Sequence, residues 1–185
     1  MLFDSEPDRE CWHESGHAVV GHHFGMQILA VGFSRPNGPD CEPYPSTWVP
    51  TDGFDADKVA TQLLAGSAAE IVKLGDFDIM ACNSDVRAFT KLQCASSRDH
   101  YINQAMEIIR AKNDVLVRVY ERLMGARTNP PLQPFIDKDG IKKQVHLTPD
   151  ELESLVETPK VKSNPFPPAP PKPAASPSRT NKPSE

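Results

Sequence analysis

No run of apolar residues approaches the roughly 20 that a helix needs to cross a bilayer, so membrane insertion is not expected of this 185-residue chain. Its four cysteines, Cys11, Cys41, Cys82 and Cys94, form no C-x-x-C pair, and none sits in the glycine-cysteine motif that a deformylase would need for its cysteine ligand. The chain begins Met-Leu-Phe-Asp-Ser-Glu-Pro, without the basic and then apolar stretch of an export signal. A reducing, cytoplasmic setting is the expectation. Basic charge is not in surplus either: the formal net charge is −5, and because residues 159–185 carry +4, the first 158 residues stand at −9. An acidic body gives little support to a nucleic-acid partner.

Proline, by contrast, is abundant and unevenly placed. Nine of the 27 residues in 159–185 are proline, and Val161 and Phe166 are the only large apolar side chains there. Such a segment buries too little apolar surface to offset its ordering entropy, so it reads as a disordered tail behind one domain, residues 1–158. Its stretch 165–173 suits a polyproline II helix that docks an aromatic groove on another protein, or an inert solubilising tail.

Within the domain the spacing predicts mostly helices. Ser5, Glu6, Pro7 and Asp8 supply a cap, a first-turn proline and acidic residues for a helix over about 7–24. Residues 27–34 are short and apolar enough for a strand, and 35–53, with five prolines, reads as a long irregular loop. Val59, Leu63, Leu64, Ile71 and Val72 recur at helical spacing over 55–74, with Gly75 placed to end that helix. Asn83 or Ser84 can cap a third helix starting at Asp85, carrying Val86, Phe89 and Leu92 inward and ending or bending at Ser96 and Ser97. Two further patterns, divided near Asn113, suggest a helical hairpin. Phe135, Ile136 and residues 141–145 suggest a small strand pair on an Asp139-Gly140 turn. Thr148-Pro149-Asp150-Glu151 is a capping box that opens a short last helix.

The chemistry-bearing motif lies in the first helix. His13-Glu14-Ser15-Gly16-His17 fits H-E-x-x-H, and four residues along a helix bring His17 only about 40° round from His13, so both imidazoles can reach one metal ion. Glu14, on the adjoining edge of that face, is placed to act as the base that takes a proton from a zinc-activated water. A third ligand has two candidates. His23 is where H-E-x-x-H-x-x-G-x-x-H wants its last histidine, but the helix-breaking glycine position is Val20, and an unbroken helix carries His23 about 280° from His13. His22 falls opposite His13. Asp85, at the start of the third helix, is the alternative: free backbone N–H groups can hold its carboxylate while one oxygen faces the metal.

From His13 onward the chain resembles the peptidase domain of FtsH-type ATP-dependent zinc metalloproteases. His13-Glu14-Ser15-Gly16-His17-Ala18 matches the family's H-E-x-G-H-A, residues 63–70 (LLAGSAAE) resemble L-L-G-G-R-A-A-E, and Asn83-Ser84-Asp85-Val86 is similar to its S-N-D-hydrophobic motif. Residues 113–116 (NDVL) in a helix pair and 147–152 (LTPDEL) are similar to the closing segment. The resemblance implies a mainly α, zincin-type helical metalloprotease domain with a small β element. It further implies His13, His17 and Asp85 as Zn²⁺ ligands, Glu14 as general base, and Glu70 as a carboxylate that orients a ligand histidine.

The chain departs from that family in lacking its membrane anchor and most of the loop that follows the Asp, and in two further features. No G-x-x-x-x-G-K-S/T loop occurs, so the expectation is a stand-alone peptidase domain without the AAA-type ATPase. The family's extended substrate-aligning edge is replaced by the proline-rich residues 35–50, which puts peptide binding by strand addition in doubt. The expected function is a zinc metalloendopeptidase acting on unfolded or flexible polypeptide without its own ATPase. The alternative is a zinc-binding regulatory or interaction module with little turnover, working with a partner protein or a separate ATPase. Since the family forms hexameric rings, a homo-oligomer is a further partner arrangement.

Overall fold

The structure, a computed structural model, describes residues 6–34, 44–79, 82–128, 133–136 and 142–157. Among them the chain is mainly helical, with seven helices and one four-stranded antiparallel sheet. The Ser5 cap, the Asp139-Gly140 turn and the 159–185 tail lie outside the described residues.

Helix α1 (Glu6–His23) runs through the middle of the molecule. Every residue from His13 to Gly21 is buried, because α2, α3, α5, α6 and strands β1 and β2 all pack against this helix. Cys11, Ala18, Val19 and Val20 join the main core with Leu64, Tyr101, Ile109, Leu116, Leu123 and Leu147. A helix enclosed on all sides cannot sort its residues into wet and dry faces, so its buried polar residues, His13, Glu14, Ser15 and His17, need partners inside the protein. Ser15 finds one locally, donating from Oγ to the Cys11 carbonyl at 2.7 Å.

Strand β1 (Ala30–Ser34) starts three residues later than the sequence pattern suggested. The irregular loop expected over 35–53 is corrected by β2 (Tyr44–Trp48), which pairs antiparallel with β1, Val31 opposite Thr47. Pro45 obscured this strand in the sequence, and it is tolerated because β2 is an edge strand, where a missing N–H need not break a ladder.

The single helix expected over 55–74 is two, α2 (Ala56–Leu63) and α3 (Ala65–Leu74). They join at Leu64, whose N–H is shared between the carbonyls of Ala60 and Gln62. The Gln62 carbonyl also accepts a hydrogen bond from His17, and such a side chain inserted beside the ladder is a known cause of a helix break. Gly75 ends α3 as foreseen: its φ of 89° is left-handed, and its N–H caps the Ile71 carbonyl.

Helix α4 (Asn83–Thr90) begins two residues before Asp85, with Cys82 at the cap position and no capping side-chain bond. It stops at Thr90, and Ser97, expected to end it, instead caps α5 (Arg98–Ala111) by accepting from the His100 N–H. Only Lys112 separates α5 from α6 (Asn113–Thr128). The two diverge from this link, α5 lying mainly on α3 and α6 on α1. Strands β3 (Gln133–Ile136) and β4 (Lys142–Leu147) pair antiparallel as the pattern suggested, and β4 also pairs with β1, giving the order β2-β1-β4-β3. Helix α7 (Pro149–Glu157) opens on the expected reciprocal box: Thr148 N–H donates to Glu151 Oε2 at 2.9 Å, and Glu151 N–H to Thr148 Oγ1 at 3.3 Å.

Candidate metal centre

Helices α1 and α3 must approach closely before the His13 imidazole can reach α3. Gly66 permits this, since a Cβ there would collide with the His13 ring, and a Cβ on Gly16 would strike the Ala65 carbonyl and the Ala69 methyl. The small residues of the Leu63 to Glu70 motif are therefore a contact surface moulded to the helix that carries the histidines.

His17 Nδ1 lies 2.8 Å from the Gln62 carbonyl oxygen. A carbonyl only accepts, so Nδ1 carries the hydrogen and Nε2 of the neutral ring presents a lone pair. His13 Nδ1 lies 2.7 Å from Glu70 Oε1, which as a carboxylate oxygen sets the same tautomer. Both Nε2 atoms converge, 3.0 Å apart. Asp85 Oδ2, reaching over from α4, is 3.0 Å from His13 Nε2 and 3.3 Å from His17 Nε2. Three acceptor atoms so close repel one another unless a positive charge sits among them, either a proton or a metal ion.

Their spacing suits a metal. A tetrahedral site with bonds of about 2.0 Å has ligand atoms roughly 3.3 Å apart, near the three separations found. His13, His17 and Asp85 thus form a group able to hold a metal ion. Two imidazoles and a carboxylate are among the three-ligand donor sets that metal-dependent hydrolases use.

The electrostatics favour a cation. Burial opposes a charge on His13, but hydrogen bonds to Asp85, Cys82 and Glu70, with the nearby Glu14 charge, hold its pKa well above the usual imidazole value. For His17 too, burial is outweighed by Asp85 and Glu14, although His13 opposes the rise. Asp85 is held far below the ordinary carboxylate range, its burial overcome by His17 and His13.

Glu14 is buried beside these groups, and Thr47 of β2 donates from Oγ1 to its Oε2 at 2.6 Å and to its backbone carbonyl at 3.2 Å. Glu70 is fully buried. Besides His13, it accepts from Arg9 Nη1 at 2.7 Å, the Asp78 N–H at 3.0 Å and the Cys82 thiol at 3.6 Å. Burial alone would raise its pKa, but His13, the Asp78 N–H and Arg9 lower it. His13, Glu70 and Cys82 form a second group of metal-ligand types, yet with an N–H, an S–H and a guanidinium already directed at Glu70, that group is built to hold an anion.

The structure therefore brings His13, His17 and Asp85 together, with Glu70 bonded to His13 and Glu14 close by. It does not bring in His22, which pairs with Glu153 at 3.0 Å, or His23, which is exposed. Four partners were missed in the sequence. Arg9 was recoverable, standing one helical turn before His13, and Cys82 lies one turn before Asp85. Thr47 and the Gln62 carbonyl left no signal, because a strand pairing and a helix break put them in place. No family model matches the chain, and neither does any curated protein.

Proposed function

We propose that this chain is a zinc metallopeptidase with a zincin-type domain like that of FtsH-type proteases, hydrolysing peptide bonds in unfolded or flexible polypeptides. The observation that carries this reading is the convergence of His13 Nε2, His17 Nε2 and Asp85 Oδ2 within 3.0 to 3.3 Å of one another beside the buried Glu14. His13, His17 and Asp85 would hold the ion. When bound, zinc supplies a Lewis acid that polarises a carbonyl and brings the pKa of a water to about 7.

The chain's own residues then do the following. Glu14 accepts the proton of the attacking water and returns it to the amide nitrogen as the C–N bond breaks. With Oε2 engaged by Thr47, Oε1 is the oxygen that carries this proton. Strand β2, one of the two edge strands of the described sheet, offers a backbone edge beside Glu14 on which an extended peptide can lie. Within the proline-rich residues 35–50, residues 44–48 form this strand, which supports peptide binding by strand addition.

Purified protein incubated with casein, zinc and no ATP should yield fragments by mass spectrometry, while Glu14→Gln and Asp85→Asn yield none. A zinc-loaded wild type that leaves casein intact would overturn the peptidase reading in favour of a zinc-binding interaction module.

A further inference from the structure

We infer that Arg9 is a positioning residue for the metal site, acting through Glu70 on His13; the inference rests on the reading of His13 as a metal ligand. Arg9 precedes His13 by four residues, so on α1 both side chains leave the same face toward α3. The guanidinium spans two acidic groups: Nη1 donates to Glu70 Oε2 at 2.7 Å and Nη2 to Asp76 Oδ1 at 2.7 Å. Asp76 is available there because the left-handed Gly75 turns the chain back at the end of α3.

The division of labour on Glu70 gives Arg9 its role. Oε1 faces His13 Nδ1, and Oε2 faces Arg9 and the Asp78 N–H. When His13 binds a cation as a neutral ring, Arg9 is the one full positive charge on this buried carboxylate among the described residues. The other donors, a backbone amide and a thiol, are neutral. A fully buried carboxylate requires such a counter-charge. The planar fork, anchored on Asp76, also fixes the carboxylate's orientation, and Oε1 in turn sets the rotation of the His13 ring and the aim of Nε2. A lysine would supply the charge but not the two-armed anchor.

The test uses the full chain as wild type, Arg9→Ala, Arg9→Lys and Asp76→Ala. Zn²⁺ affinity is measured by competition with a chromogenic chelator, the Co²⁺ complex by visible absorption, and the melting temperature on metal-free protein. Arg9→Ala should bind zinc roughly tenfold or more weakly and shift the Co²⁺ bands. Arg9→Lys should recover part of that affinity. Asp76→Ala, at an exposed position, should weaken binding by a smaller factor and report even if Arg9→Ala does not fold. Zinc affinity and Co²⁺ spectra unchanged in all three variants, beside a wild type that binds, would overturn the inference alone. So would affinity losses matched by equal losses of metal-free stability, the mark of a merely structural residue. A wild type that binds neither Zn²⁺ nor Co²⁺ would overturn the metal reading, and this inference with it.

Discussion

Thr47 and Glu14, 33 residues apart, are joined twice: the threonine hydroxyl meets both the carboxylate and the backbone carbonyl of the glutamate. This ties the outer strand to the helix that carries the proposed base, so the element that would receive a peptide also orients the group that would act on it. Thr47→Val keeps the shape and removes the donor. Casein cleavage should then fall roughly ten- to hundredfold, mainly in kcat, since a hydrogen bond to a charged group contributes roughly 1.5–3 kcal/mol. Thr47→Ser should restore most of it, whereas a loss confined to KM would place Thr47 in peptide binding only.

Gly66→Ala tests the close approach of α1 and α3. The added methyl group meets the His13 ring, so the ring or the helix must shift. We expect a loss of about 1–3 kcal/mol in urea denaturation, as for other overpacked cores, together with weaker zinc binding. Unchanged zinc affinity would show that the ring can move without leaving the site.

Metal removal should lower stability. An ion bound only by the folded state stabilises it by about 2.7 kcal/mol at a hundredfold excess over Kd, so a chelator should lower the melting temperature of the wild type. The same chelator should have little effect on His13→Ala or Asp85→Asn.

His23→Ala should leave zinc affinity and cleavage unchanged, because His23 is exposed and stands outside the cluster. Loss of zinc in this variant alone would restore His23 as the third ligand and remove Asp85.

Glu151 gives a pH dependence away from the metal. Partial burial would raise its pKa, but the Thr148 N–H and Arg122 hold it below the ordinary glutamate value. A depressed folded pKa means stability present above the unfolded value of about 4.3 and lost as pH falls through the folded one. Acid titration of stability should therefore be shallower in Glu151→Gln than in the wild type. Thr148→Ala, which removes the hydroxyl from the same box, should cost about 1 kcal/mol at neutral pH.

What could be read from the chain alone were relations spanning a few residues. The four-residue step from His13 to His17 sets both imidazoles on one helix face, Thr148 and Glu151 form their box within a single turn, and Gly75 ends α3 through its own φ. Local backbone geometry dictates each of these, wherever the segment sits.

Tertiary structure decided the rest. Leu64 lies in a run with helical spacing, yet the helix breaks there, beside a Gln62 carbonyl that bonds to His17 of another helix. Residues 44–48 contain a proline and still form a strand, because β1 pairs with them and leaves them at the edge. Arg9 and Asp85 are ordinary first-turn charges until α3 and α4 bring Glu70 and the two imidazoles to them. A buried charge is defined by partners distant in sequence, and a local pattern has no term for a contact made only after the chain has folded.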